Sequence, residues 1–166
     1  MHMNKFEKNF PSGSWCVEES VGYLLARART KLAKAVDVDL AQHDITHAQG
    51  SMLLMLNSGN YSTAAELSRE LYIDSASITR MVDRLEKRGL IQRMPRGDDR
   101  RVINLRLTEE GVELADKLPD LYVGVLNESF AEFSGEEVNT LRSLLRKLLY
   151  GAASEVVSKE VKDRSE

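Results

Sequence analysis

The chain has 166 residues, 42% of them hydrophobic and 30% charged, with three prolines and a single cysteine. A chain of this length buries roughly 70% of its unfolded surface, so it can form a domain with its own core. No apolar run approaches the ~20 residues of a membrane span, and the N-terminus lacks the charged-then-apolar pattern of a secretory signal. These features predict a cytoplasmic protein with no membrane partner. One cysteine, Cys16, excludes an internal disulfide and a zinc site built on cysteines.

The charge is unevenly distributed along the chain. The net charge is −3, yet residues 75–106 hold nine lysines and arginines against four acids, which leaves the rest of the chain at −8. One basic segment on an acidic body is typical of a surface that binds phosphate. A solvated helix face followed by a charged turn would have the same composition, so charge alone leaves both interpretations open.

The first half of the chain predicts two helices in front of a helix-turn-helix. Apolar residues spaced by three and four predict a helix over 17–36. Residues 43–45 form a connector, after which Thr46 and Gln49 make a capping box that opens a second helix. The turn-forming residues 58–60 end that helix.

The central segment predicts the helix-turn-helix itself. Thr63 and Glu66 form another capping box and start a short helix through Leu71. Residues 72–74 are a tight link, and Asp74 or Ser75 caps a helix that ends at Gly89. Its inner face is predicted to contain Ile78, Met81 or Val82, and Leu85. Two short helices so joined, the second basic outside and apolar inside, indicate a helix-turn-helix.

The second half predicts a hairpin and two longer helices. Strands over 90–94 and 102–107 flank the polar turn 95–101, and a hairpin in this place is a wing. Thr108 caps a long helix that Pro119 should bend, with Val112, Ala115, Leu118, Leu121, Val125, Leu126 and Phe130 predicted inward. Ser134 and Glu137 form a capping box for the last helix, and the charged tail over 154–166 is expected to fray.

The predicted fold is mainly α with a small β-hairpin wing: a winged helix-turn-helix with dimerisation helices at both ends. We expect one domain over 7–160, with the DNA-binding head at 46–108 and the dimerisation helices at 15–38 and 109–153. The apolar stripes of the terminal helices are too wide for a small winged head to bury. Packing of these helices on each other within one subunit is the alternative.

Three segments in this order resemble the MarR family of transcription regulators. Residues 72–91 resemble the recognition-helix signature of that family. Asp99-Arg100-Arg101 followed by Leu107-Thr108-Glu109-Glu110-Gly111 resembles its wing pattern, and Ile45-Thr46 with Gln49 resembles the start of its second helix. The resemblance spans about 17–150. It implies a homodimer that binds a pseudo-palindromic operator in double-stranded DNA, and a repressor released by a small aromatic or phenolic ligand.

The candidate DNA-contacting residues follow from the helix and wing positions. The N-terminal turns of the recognition helix carry small and hydroxyl side chains that suit base edges, and Arg80 can pair bidentately with guanine. Arg84, Lys87 and Arg88 suit phosphate contacts or solvated positions, and Arg96 and Arg100 in the wing suit the DNA backbone. Asp83 and Glu86 lie among these cations and could form i,i+4 pairs within the helix, which would dilute its basic face. The resemblance assigns Arg101 to the minor groove and Asp99 to holding its guanidinium. The full set is Ser75, Ala76, Ser77, Thr79, Arg80, Arg84, Lys87, Arg96, Asp99, Arg100 and Arg101. Helix capping is the alternative for the serines, and a surface ion pair is the alternative for Asp99 and Arg101.

The resemblance also implies an effector site between the dimerisation helices and the head. The candidates there are Trp15, Tyr23, Arg27, His47 and Met52. Each of these is also a normal core or surface residue.

No constellation for catalysis stands out in the sequence, so we expect no enzyme activity and no cofactor. His43 and His47 have helical ligand spacing, but the helix begins between them, so no metal site is expected. Two functional alternatives remain. Cys16, near the start of the first helix, could serve a thiol-based oxidative-stress sensor, or the head could be a protein-interaction module.

Overall fold

The computed structural model describes residues 16–95 and 103–151. In chain order the elements are α1 (Val21–Leu40), a 3₁₀ turn (Ala41–His43), α2 (His47–Asn57), α3 (Ala64–Leu71), α4 (Ser75–Lys87), β1 (Ile91–Pro95), β2 (Ile103–Leu107), α5 (Glu109–Ser129) and α6 (Gly135–Tyr150). The two strands form an antiparallel hairpin. The predicted fold class, mainly α with a small hairpin, is therefore confirmed. None of the helices in the described ranges is long and apolar enough to cross a membrane.

Side-chain caps set the starts of α2, α3 and α6 where the sequence predicts them. Thr46, Thr63 and Ser134 each accept a hydrogen bond from the backbone N–H three residues on, and the Gln or Glu there bonds back to the cap. These reciprocal bonds satisfy backbone donors that the helix itself leaves free. All three predicted capping boxes are confirmed.

The first helix differs from its predicted bounds of 17–36. It begins at Val21 because Ser20 acts as the N-cap, its hydroxyl accepting the N–H of Tyr23 at 3.3 Å. It continues to Leu40, which is fully buried one turn after the buried Val36. Apolar periodicity could not place either end, since the cap decides the start and tertiary packing decides the end.

The first strand of the hairpin begins one residue later than predicted, at Ile91, and the second is described from Ile103 because residue 102 lies outside the described residues. Ile91 pairs with Leu107 and Pro95 pairs with Ile103. Leu90 stays outside the ladder, where its carbonyl oxygen accepts the N–H of Thr108 at 3.1 Å. The β2 residue Leu105 donates its N–H to the carbonyl of Ser62 at 2.6 Å, which fixes the hairpin beside the start of α3.

The long helix α5 starts as predicted, with the Thr108 hydroxyl accepting the N–H of Gly111 at 3.1 Å, and it continues through Pro119. The prediction of an inward side chain is wrong at two positions of this helix, because Val112 and Leu126 are exposed. Phe130 lies beyond the helix end and packs edge to face against Phe133. The buried apolar face of α5 is therefore narrower than the sequence predicts.

The chain divides into two compact units, Met1–Leu126 and Asn127–Glu166. The described core belongs to the first unit. It comprises Val36, Leu40, Ile45, Met52, Leu53, Leu56, Leu67, Ile78, Val82, Leu85, Leu90, Ile91, Leu105, Ala115, Leu118 and Val125. In the second unit none of the described residues is buried, and several large apolar side chains of α6, among them Leu144 and Leu148, are exposed. The single domain over 7–160 stays a prediction, and the tail 154–166 lies outside the described residues.

Candidate DNA-binding surface

The helices α3 and α4 are joined by a tight turn that their own side chains hold. Tyr72 caps the C-terminus of α3 in the left-handed conformation, with φ of 52°. The Ser68 hydroxyl donates to the carbonyl of Ile73 at 2.7 Å, and Asp74 accepts the N–H of Ser77 at 2.8 Å. Hydrogen bonds from the hydroxyl and the backbone of Ser77 lower the pKa of Asp74. Asp74 is thus the cap, which settles the choice that the sequence left open between it and Ser75.

The helix α4 has one buried face and one exposed face. Ile78, Val82 and Leu85 are buried to at least 99%, so Val82 rather than Met81 completes the inner face. Because a helix repeats every 3.6 residues, the residues between them face outward. The exposed positions include Ser75, Ala76, Thr79, Arg80, Arg84 and Lys87, while Ser77 is partly exposed. The structure therefore gathers all seven predicted recognition-helix residues on one element, six of them exposed.

Two hydrogen bonds organise the N-terminal turns of this exposed face. The guanidinium of Arg80 donates to the hydroxyl of Ser77 at 2.8 Å. The Thr79 hydroxyl donates to the carbonyl of Ser75 at 2.8 Å. Arg80 thus lies along the first turns of α4, with its orientation fixed by a neighbouring serine. The sequence does not predict this contact.

The two acids of α4, Asp83 and Glu86, have their ion-pair partner outside their own helix. Pairs between these acids and cations of the same helix were an expectation from i,i+4 spacing. Instead Arg93, on β1, forms ion pairs with both Asp83, at 2.6 Å, and Glu86. Hydrogen bonding to Asp83 and the charges of both carboxylates raise the pKa of Arg93. One wing-strand arginine therefore pairs with both carboxylates and offsets one of their two negative charges.

The hairpin presents an outer face beside α4. Gln92 and Arg106 are directly opposed in the ladder, and both are exposed. The predicted wing contacts Arg96, Asp99, Arg100 and Arg101 lie outside the described residues. Arg106 is an additional basic residue on the hairpin that was not among the predicted contacts.

The candidate effector residues fall into separate local groups. On α1, the Arg27 guanidinium donates to the Tyr23 hydroxyl at 3.1 Å and lies 5.7 Å from the centre of that ring. On α2, Met52 is fully buried in the core, while His47 is partly buried. Trp15 lies outside the described residues. The role of all five as ligand contacts stays a prediction.

His47 belongs to a cluster that the sequence did not predict. Its backbone N–H donates to Asp37 of α1 at 2.5 Å, and its ring lies 6.0 Å from that of Tyr122 on α5. The Tyr122 hydroxyl donates to the His47 carbonyl at 3.3 Å. Burial lowers the pKa of His47 and raises that of Tyr122. Residues this far apart in sequence meet only through the packing of three helices, so no local signal could have found them.

Cys16 and the histidines form no metal centre in the part of the chain that the structure describes. Within the described ranges, no group of three His, Cys, Asp or Glu side chains is arranged to hold an ion. Cys16 is exposed, and its thiol donates to the carboxylate of Glu18 at 3.1 Å. This hydrogen bond lowers the pKa of Glu18.

A helix-turn-helix followed directly by a two-stranded hairpin defines a winged helix-turn-helix protein. Residues 45–103 match the model of the MarR family. The chain is 32% identical over 133 residues to the organic hydroperoxide resistance transcriptional regulator of Bacillus subtilis, covering 80% of this chain and 89% of that protein. It is 30% identical over 130 residues to the multiple antibiotic resistance protein MarR of Escherichia coli, and the match covers 78% of this chain and 90% of that protein.

A solved structure gives the same result. A cysteine-to-serine mutant of Escherichia coli MarR, complexed with operator DNA, matches with a TM-score of 0.73 and 28% identity, covering 82% of this chain and 99% of that one. The chain belongs to the MarR family and is a winged-helix DNA-binding transcription regulator. The Bacillus subtilis relative is a transcriptional regulator.

Proposed function

We propose that this protein is a homodimeric repressor that binds a pseudo-palindromic operator and leaves it when a small aromatic or phenolic ligand binds. The observation that carries the proposal is the outward face of α4. Its first turns expose small and hydroxyl side chains beside Arg80, while its two acids are paired with Arg93. This arrangement suits a helix that enters the major groove. The structure of Escherichia coli MarR with operator DNA supports it.

The contacts divide into base reading and phosphate binding. Arg80 pairs with guanine, and Ser75, Ala76, Ser77 and Thr79 contact neighbouring base edges. Arg84 and Lys87 bind phosphates, which adds affinity without sequence information. In the wing, Arg101 enters the minor groove held by Asp99, while Arg96 and Arg100 contact the backbone.

Exposed apolar side chains support the dimer. On α1, Val21 and Leu24 are each 50% exposed, and on α6 Leu144 and Leu148 are at least 60% exposed. Helices that expose large apolar side chains at regular spacing are typical of subunit interfaces. We therefore assign 15–38 and 109–153 to dimerisation.

The test is selection of binding sites from a random DNA pool, followed by fluorescence anisotropy across a salt series. We expect an inverted repeat, bound by a dimer with an affinity that falls steeply with salt. Arg101→Ala should weaken this binding. If no sequence is enriched and the variant binds like the wild type, DNA reading by this head is wrong. The basic segment would then be a protein-docking surface.

The effector part of the proposal rests on the Tyr23–Arg27 pair and on His47. A guanidinium beside an aromatic ring suits an aromatic carboxylate, which can pair with the charge and stack on the ring. We expect 4-hydroxybenzoate to lower DNA affinity of the wild type and to have a weaker effect on Arg27→Ala. Lys31→Ala, also an exposed cation of α1, is the matched control. An equal ligand effect in all three proteins would contradict the assignment of Arg27.

A thiol-based oxidative-stress sensor is the second candidate, favoured by the exposed thiol of Cys16. The similarity to the organic hydroperoxide regulator of Bacillus subtilis is consistent with it. Peroxide treatment of wild type and Cys16→Ser separates the two candidates. Release of DNA by the wild type alone supports the sensor. Equal behaviour of both proteins ends that alternative.

A further inference from the structure

The C-terminal end of α4, the recognition helix, is hydrogen-bonded to residues 41–46, the connector between α1 and α2. Arg88 is the C-cap of α4, and its guanidinium donates to two successive carbonyls 44 and 45 residues earlier in the chain. One nitrogen reaches the carbonyl of Asp44 at 2.5 Å and another reaches that of His43 at 2.9 Å. Its Nε also lies 4.0 Å from the Asp44 carboxylate. Arg88 therefore binds the connector through a fork of donors.

The connector itself is fixed to α1. It begins with the 3₁₀ turn Ala41–His43, which continues directly from Leu40, and Asp44 then adopts the left-handed conformation with φ of 54°. Asp37 of α1 accepts the N–H of His47 on the far side of the connector. The segment is therefore anchored to the last turns of α1, and Arg88 connects α4 to this anchored segment.

An arginine is required for this geometry. The guanidinium presents several donors in one rigid plane, so it can bond two carbonyls at once, whereas a lysine ammonium is a single point charge on a flexible stem. A charge-assisted hydrogen bond is stronger than a neutral one. The Arg88 side chain is only 33% exposed, which is consistent with a group engaged by the protein.

We propose that Arg88 is a positioning residue that sets the separation of the two recognition helices, and not a phosphate contact. The inference rests on the proposed dimer, in which α1 belongs to the dimerisation region. Each recognition helix is then held relative to the dimer interface partly through the fork of Arg88. When the fork is lost, the head is less fixed on α1, and the preference for one half-site spacing weakens.

The test compares operator variants that differ only in half-site spacing. With about 10.5 base pairs per turn, moving one half-site by one base pair rotates it by roughly 35°, so a rigid dimer discriminates strongly against the shift. Arg88→Lys keeps the charge and removes the fork, and Arg88→Met removes both. Lys87→Met, the exposed neighbour, is the matched control. Affinities are measured by anisotropy on the selected site and on sites one base pair longer and shorter, each across a salt series.

We expect Arg88→Lys and Arg88→Met to bind the selected site about tenfold more weakly than wild type. Their discrimination against the shifted sites should fall by a similar factor. The salt slope, which is the slope of log affinity against log salt concentration, should stay unchanged. Lys87→Met should keep the discrimination and reduce the salt slope. Equal loss on all three sites with a reduced slope in Arg88→Met would make Arg88 a phosphate contact and overturn the proposal.

Two further outcomes would also overturn it. One is wild-type affinity and spacing preference in both variants, and the other is loss of the helical circular dichroism signal in both, which would make Arg88 a folding residue. Failure of the proposed function is distinct from these results, because the wild type itself would then select no site.

Discussion

The guanidinium of Arg93 on β1 lies 2.6 Å from the carboxylate of Asp83 on α4, and it also pairs with Glu86. The arginine thus bonds the wing to the recognition helix across ten residues of sequence. It also offsets one of the two negative charges on a helix that is proposed to approach phosphates. The pair therefore has both a structural and an electrostatic consequence for DNA binding.

Arg93→Gln should weaken both folding and DNA binding. The Arg93 side chain is 33% exposed, so the loss of unfolding free energy should be about 1 kcal/mol, as for partly exposed ion pairs. DNA affinity should fall further, since two unpaired carboxylates then repel the phosphates. Urea denaturation and anisotropy measure the two effects.

Asp83→Asn supplies the control for this prediction. In the Arg93→Gln background it removes one of the unpaired charges and should restore part of the DNA affinity. Additive losses in the double variant would contradict a functional ion pair, because coupled residues give non-additive effects.

The helix-turn-helix was predictable from sequence because its signals are local. The cap at Thr63 and the apolar spacing of Ile78 and Leu85 depend on residues within one or two turns. The same signals narrowed the second cap to Asp74 or Ser75 and the middle of the inner face to Met81 or Val82. Such signals place a helix and its buried face without reference to the rest of the fold.

The ties between elements were not predictable in the same way. Arg88 looked like a solvated or phosphate-binding cation, and Asp83 and Glu86 looked like partners of their own helix. Their actual partners, His43, Asp44 and Arg93, are on other elements. Sequence spacing describes neighbours on one helix, whereas these contacts depend on how the helices and the hairpin pack.

The stability of the protein should depend on the protonation of His47. Burial lowers the pKa of this imidazole below its usual 6.5, against an opposing effect of Asp37 and with a smaller contribution from Arg29. Because the folded state binds this proton less readily than the unfolded state, stability is highest above about pH 6.5, where His47 is neutral in both states, and is lost as the pH falls through the folded pKa. Urea unfolding at pH 7.5 and 5.5 should show a smaller difference in His47→Gln than in wild type. An unchanged difference would mean that His47 does not carry this dependence.

Gly111 is required by a close approach of two backbones. A Cβ at this position would overlap the carbonyl oxygen of Leu90, which accepts the N–H of Thr108. Gly111→Ala should therefore lower the unfolding free energy by about 1–3 kcal/mol. Gly124, in the same helix, is the matched control because a Cβ there meets nothing within 4 Å. Gly124→Ala should stabilise the protein by up to about 1 kcal/mol through helix propensity. Stabilisation by both substitutions would show that helix propensity, and not the contact with Leu90, decides the effect of Gly111→Ala.

Arg80 and Arg84 are both exposed on α4, one turn apart, but we expect different losses when each is replaced by alanine. Arg80 is oriented along the first turns by Ser77 and is assigned to guanine, so Arg80→Ala should cost about 1–3 kcal/mol of discrimination at one base position. Arg84 is assigned to phosphate, so Arg84→Ala should weaken binding to all sequences alike and reduce the salt slope by about 1. Anisotropy on the selected site, on single-base variants and across a salt series measures both quantities. Uniform loss in both variants would place Arg80 on the phosphates too, and base reading would then depend on the hydroxyl side chains and the wing.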